Sequence, residues 1–61
     1  MWLELTELGT KQAVCVNTDL VTHMTDLPQG AAPGCKLFFS NALELIVSER
    51  LERIMEHLQL I

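Results

Sequence analysis

The residues with the most reactive chemistry are two cysteines and two histidines: Cys15, His23, Cys35 and His57. A thiolate beside an imidazole can serve as a nucleophile pair, and four such side chains can enclose a zinc ion. Zinc sites normally start from a local pair, C-x2–4-C or H-x3–5-H, that brings two ligands together without tertiary help. Here the steps along the chain are 8, 12 and 22 residues, so that pair is missing. The expectation is no metal, with two buried thiols acting as small hydrophobes and two histidines at the surface. Carboxylates offer a second chemistry, since Asp19 and Asp26 with Glu4 or Glu44 could form an acid/base pair. Acids at alternate strand positions usually make a solvated face, and a short chain has little volume for a substrate pocket. Ser48 before Glu49 could hold a phosphate at a helix start, but a plain N-cap explains the pair. The reading is therefore no enzyme, no catalytic residue and no cofactor.

Sixty-one residues make one small domain, spanning 1–61, whose core is marginal without a disulfide, a metal or a partner. Hydrophobic residues at 49% against 20% charged are too apolar for a disordered chain. No apolar run approaches the roughly 18–20 residues of a membrane span, so no membrane association is expected. Four basic against eight acidic residues give a net charge of −4, which makes nucleic acid an unlikely partner. The acids are spread along the chain, as ordinary solubility requires. Two cysteines at this spacing do not form a secreted disulfide scaffold, and MWLELTELG lacks the basic region of a signal peptide. Free thiols in a reducing cytoplasm follow.

Alternation sets the first elements. Leu3 and Leu5 oppose Trp2, Glu4 and Thr6, and Val14 and Val16 oppose Ala13 and Cys15, the period of strands at about 2–8 and 11–17. Gly9 and Thr10 supply the turn of a hairpin. Asn17, Thr18 and Asp19 then break the pattern with short polar side chains that bond nearby backbone. A third strand at about 20–27 ends at Pro28, and PQGAAPG, 28–34, is a loop. Strands at about 36–40 and 43–47 are joined through Ser40-Asn41, where Asn tolerates a positive φ. Ser48 takes the N-cap position of a helix at about 49–59. Leu51, Ile54, Met55 and Leu58 form its apolar stripe, and Glu49 with Arg53 an i, i+4 pair.

The fold class expected is α+β: an antiparallel meander of four or five strands with one C-terminal amphipathic helix packed on one face. Leu3, Leu5, Val14, Val16, Leu43, Leu45 and Val47 can supply that face. Trp2, Cys15, Phe38 and Ile46 have the opposite parity, and one helix cannot cover both faces of a sheet. Either one strand's parity is reversed, or these four residues belong to an interface with a partner subunit. Trp2 has a third fate open to it, partial cover by the 28–34 loop.

Leu5, Thr6, Leu8 and Gly9 resemble the L-T-x-L-G opening of the small flagellar FlbD family, the swarming-motility SwrD-like proteins. Val16-Asn17-x-Asp19-Leu20 is similar to that family's V-N-x-D-x-I segment, and Val47-Ser48-Glu49 to the V-x-E-S start of its last helix. The resemblance covers most of the chain outside the middle loop. The PQGAAPG loop is longer than the family's usual connection, and Asn41 stands where a Gly commonly closes the last hairpin. The resemblance implies a small cytoplasmic bacterial protein, with motility or its regulation as a role, and it brings no catalytic residues.

The leading function is a non-enzymatic interaction or regulatory protein acting as a homo-oligomer, a dimer by preference, with a protein partner as a further option. The alternatives are a small RNA-binding translational regulator, suggested by strand-rich architecture alone, and a small thiol- or metal-dependent enzyme.

Overall fold

In the computed structural model, which describes residues 1–30 and 32–60, alternation produces an antiparallel hairpin first. Strands β1 (Trp2–Thr6) and β2 (Ala13–Asn17) pair Leu3 with Val16 and Leu5 with Val14, so one face is apolar throughout. The turn is held by Glu7 N–H to Gln12 O at 2.9 Å and Lys11 N–H to Glu7 O at 2.9 Å. Its left-handed residue is Lys11, with φ 63°, rather than Gly9 or Thr10. β1 ends at Thr6, and the next residue, Glu7, keeps its bonds across the hairpin and also bridges Val47.

Asn17 ends β2 by turning its side chain on its own backbone. Its Oδ1 accepts from Asp19 N–H at 3.1 Å and caps a single 3-10 turn, Thr18–Leu20. The chain leaves it as β3 (Val21–Asp26), followed after the loop by β4 (Cys35–Phe39) and β5 (Glu44–Val47). Ala31, inside the expected loop, and Ile61, inside the expected domain span, lie outside the described residues. Between β4 and β5 the residue at positive φ is Ala42 (70°), not Asn41. Asn41 contributes its side chain instead, accepting from Leu43 N–H at 3.2 Å.

These strands do not form one consecutive ladder. β1 and β2 make a two-stranded sheet, and β3, β4 and β5 a three-stranded one in that order. The sheets meet where the C-terminal end of β1 joins that of β5. Leu8 N–H donates to Ile46 O at 3.0 Å, and Ser48 N–H to Thr6 O at 2.8 Å, either side of the Glu7–Val47 bridge. Both sheets and the helix α1 (Leu51–His57) surround one core of Leu5, Val16, Cys35, Leu37, Val47 and Ile54. The architecture is α+β, with antiparallel sheets and one C-terminal helix. None of the helices among the described residues is long and apolar enough to cross a membrane.

The helix starts later than its sequence signals indicate. Arg50 occupies the N-cap and makes no side-chain cap, while the Ser48 hydroxyl donates to Thr6 O at 3.3 Å. The cap comes from another element: Asp26 Oδ1, at the end of β3, accepts from Leu51 N–H at 2.9 Å. Ile54 is fully buried, with Leu51 and Leu58 half-buried against the core, whereas Met55 is half-buried outside that cluster. Because a helix cap contributes about 0.5–2 kcal/mol, Asp26→Ala should lower unfolding stability by about 1 kcal/mol. Urea unfolding of Asp26→Ala beside Ser48→Ala checks this, and equal stability of Asp26→Ala and the parent would refute the cross-element cap.

Candidate interaction surface

The structure divides the four residues of opposite parity into two pairs. Trp2 lies opposite Asn17 and Cys15 opposite Glu4, so both occupy the outer face of the hairpin, and both are exposed. Phe38 lies opposite Glu44 and Ile46 opposite Lys36, on the outer face of the three-stranded sheet. Among the described residues the two sheets are bridged at the C-terminal end of β1, and Trp2 is at its other end. The helix covers neither outer face, since its buried residue enters the shared core.

Around Phe38 the outer face is already organised. A bulge at Thr22 in β3 sets His23 opposite Phe38, and the rings stack with centroids 4.2 Å apart and planes 8° from parallel. Thr22 Oγ1 lies 2.9 Å from His23 Nδ1 and donates to Phe38 O at 3.1 Å, fixing that stack to the strand. The Lys36 ammonium sits 5.4 Å from the Phe38 centroid and pairs with Glu44 at 2.8 Å. Both neighbours of the ring are thereby engaged within the sheet. Phe38 is half-buried as a result, and Ile46 is only just exposed.

The apolar surface concentrates elsewhere, around the 3-10 turn. Thr18 N–H and its hydroxyl both donate to Met1 O, at 2.8 and 2.7 Å, which ties the start of β1 to that turn. On the far side Ser40 N–H donates to Leu20 O at 2.9 Å, and Phe39 N–H to Leu43 O at 2.9 Å. The turn therefore sits between the start of β1 and the β4–β5 connection. Among the described residues six large hydrophobics are exposed, and Met1, Trp2, Leu20 and Leu43 at this end are four of them. Trp2 is 65% exposed and Leu43 64%.

Only Trp2 of this group is visible in the strand parity as outward-facing. Leu43 shares the parity of Leu45 and Val47, but it follows the Ala42 turn directly and precedes β5, bonded to the last residue of β4, Phe39, at the end of the sheet. Leu20 closes the 3-10 turn instead of opening a strand. The signal for both lies in the adjacent turn residues, Asn17-Thr18-Asp19 and Ser40-Asn41-Ala42, which remove the flanking leucines from the pleat.

The thiols are separated by their environments. Against the expectation of two buried thiols, Cys15 is exposed, because it lies on the outer face of β2, while Cys35 is free and fully buried on β4. Burial, and then the nearby Asp26 carboxylate, push the Cys35 thiol above its ordinary range against an opposing backbone hydrogen bond from Thr25. That keeps Cys35 protonated and a poor nucleophile at neutral pH. His23 is committed to Phe38, and His57 lies at the end of α1. Among the described residues, no group of three or more His, Cys, Asp or Glu side chains converges as metal ligands would. No protein-family model, curated protein or solved structure matches the chain. The assignment of a role rests on the surface itself.

Proposed function

We propose that this chain is a non-enzymatic interaction protein that self-associates, as a dimer, through the apolar end formed by Met1, Trp2, Leu20 and Leu43. The observation that carries the reading is the concentration of four exposed large hydrophobics around one 3-10 turn. Several large hydrophobic side chains exposed at one end of a small protein mark an interaction site. Tryptophan is the residue most enriched at the energetic centre of such sites. A six-residue core in a 61-residue chain adds a reason for association, since a second copy supplies the burial that one copy lacks. Two-fold pairing is the commonest arrangement that covers a patch with its own copy. The resemblance to the flagellar FlbD family leads us to place the protein in the bacterial cytoplasm, in motility or its regulation.

Sedimentation equilibrium at micromolar concentration tests the association. The parent should run at twice the chain mass, with a melting temperature that rises with concentration through mass action. Trp2→Glu combined with Leu43→Glu should run at the single-chain mass, both substitutions being at exposed positions. A fully folded parent monomer across that range would overturn the proposal. Deletion of the gene in its host, scored for swimming and swarming, tests the motility assignment separately.

A further inference from the structure

The bonding pattern of the hairpin leaves one strand edge open. Thr18 N–H donates to Met1 O at one end of the β1–β2 ladder, and Glu7 N–H to Gln12 O at the other. Antiparallel bonding alternates, so between these ends the bonded pairs are Leu3 with Val16 and Leu5 with Val14. Ala13 and Cys15 fall in the non-bonded pairs, and their peptide N–H and C=O groups point away from β1. Among the described residues β1 is the only strand that pairs with β2. Ala13 and Cys15 are both exposed.

The other edges are protected. β3 carries its bulge at Thr22, and its end is tied to α1 by the Asp26 carboxylate on Leu51 N–H. β1 is covered towards β5, where Thr6 N–H donates to Glu49 Oε1 at 2.9 Å and Thr6 O accepts from Ser48 N–H. β2 has none of these devices. Its residues Ala13-Val14-Cys15-Val16-Asn17 include no charge and no proline, and its register is unbroken.

We propose that two copies of the chain pair antiparallel along β2, across a two-fold axis at Cys15. The order of residues selects both the occupant and the register. Lys11 and Asp19 each lie four residues from Cys15, on opposite sides, and both are exposed. The axis therefore brings the lysine of one copy to the aspartate of the other at both ends of the pairing. Asp19 has Oδ1 on the Met1 ammonium and is still 74% exposed. The same axis sets Cys15 against its copy and Ala13 against Asn17, so outward peptide groups meet on both strands. The paired segment is uncharged, and the net charge of −4 on each copy is screened beyond about 8 Å at physiological salt. A two-fold closes the edge and leaves no open strand to propagate. This surface is separate from the apolar end and does not rest on it. A few backbone bonds between small side chains pair weakly, on the order of hundreds of micromolar, above the micromolar range of the apolar end.

Solvent exchange of backbone amides, followed by NMR from about 20 μM to about 1 mM, tests the pairing on the parent and on Trp2→Glu/Leu43→Glu. In both proteins the amides of Ala13, Cys15 and Asn17 should slow as concentration rises. Val14 and Val16, already bonded to β1, should not change. Cys15→Lys sets two ammonium groups on the axis and should abolish the slowing, with unchanged Val14 and Val16 as the check that the hairpin is retained. Lys11→Glu should weaken pairing roughly tenfold, since two attractions become two repulsions. Exchange at Ala13 and Cys15 that ignores concentration, or slowing that persists in Cys15→Lys, would overturn the inference. So would slowing in the parent alone, which would assign it to the apolar end. Slowing that appears only on adding an extended peptide of alternating Thr and Val would make a foreign strand the occupant, and would overturn it too.

Discussion

Gly34→Ala should lower the melting temperature by about 10 °C or more, although the change adds one methyl group. Gly34 is buried at the entrance to β4, and its position in the fold is set by space rather than by an unusual φ. A Cβ there would run into the carbonyl oxygen of Val47 and approach Leu27 Cδ1 to 3.0 Å. The first of these is backbone and cannot rotate away. Val47 is fully buried, pairs with Cys35, and carries the bridge to Glu7 that joins the two sheets. Relieving the clash therefore means moving β5 away from both its neighbours. Overpacking of this kind costs about 1–3 kcal/mol or more, and in a domain this size each kcal/mol shifts the melting point by about 4–8 °C. Gly9→Ala is the matched control, because a Cβ at Gly9 meets nothing within 4 Å. Differential scanning calorimetry of the two variants decides the matter: coincident transitions would mean that β5 does not press on Gly34.

Ile54→Ala should remove about 2–5 kcal/mol of stability. Ile54 is the only helical residue in the six-residue core, at 0% exposure, so no other side chain of α1 fills the same space. A 61-residue chain has a total stability of roughly 3–9 kcal/mol by the usual per-residue range. The variant should thus lose about half of its stability and unfold at a markedly lower urea concentration, with the loss partly restored at high protein concentration if association contributes. Leu51→Ala, at a half-buried position, should cost less. Urea titrations followed by far-ultraviolet circular dichroism give both numbers. A Leu51→Ala loss exceeding that of Ile54→Ala would show that α1 is docked through its first turn instead.

The class of the fold is legible in the chain because strand and helix periodicities are local. Leu3 and Leu5 against Trp2 and Glu4, and Val14 and Val16 against Cys15, define an inner and an outer face within five residues each. The stripe of Leu51, Ile54 and Leu58 defines a helix face in the same way. Such patterns read the neighbours of each residue along the chain, and they say which side is apolar. They do not say what covers it. Parity correctly separates Trp2 and Phe38 from the core side, yet it cannot show that they sit on different sheets.

The exposed apolar end is only partly readable for the same reason. Trp2 stands out by parity and size, but Met1 and Leu20 are held by hydrogen bonds from Thr18 and Ser40, 17 and 20 residues away, and Leu43 by one from Phe39 across a short turn. Strand parity even places Leu43 on the inside, a reading that holds only while β5 extends that far. Alternation assigns Asp26 to a solvated face and helical spacing pairs Glu49 with Arg53, whereas both carboxylates accept from backbone N–H groups of other elements. A carboxylate near a helix start can satisfy its own helix or a neighbouring strand, and both choices are short, favourable hydrogen bonds. Spacing favours the first for Glu49, and only packing can favour the second.

By itself, then, the amino-acid order determines alternating and helical segments, their apolar sides, the Pro- and Gly-rich break between them and the acidic charge. Tertiary structure decides that the end of β1, still bonded across its hairpin at Glu7, also meets β5, and that Asp26 caps a helix 25 residues further on. It likewise decides that Glu49 abandons Arg53 for Thr6. The physical reason is range. Periodicity and turn chemistry act over two to four residues, whereas these contacts depend on how the core of Leu5, Val16, Cys35, Leu37, Val47 and Ile54 packs, which sets which ends lie within hydrogen-bond reach.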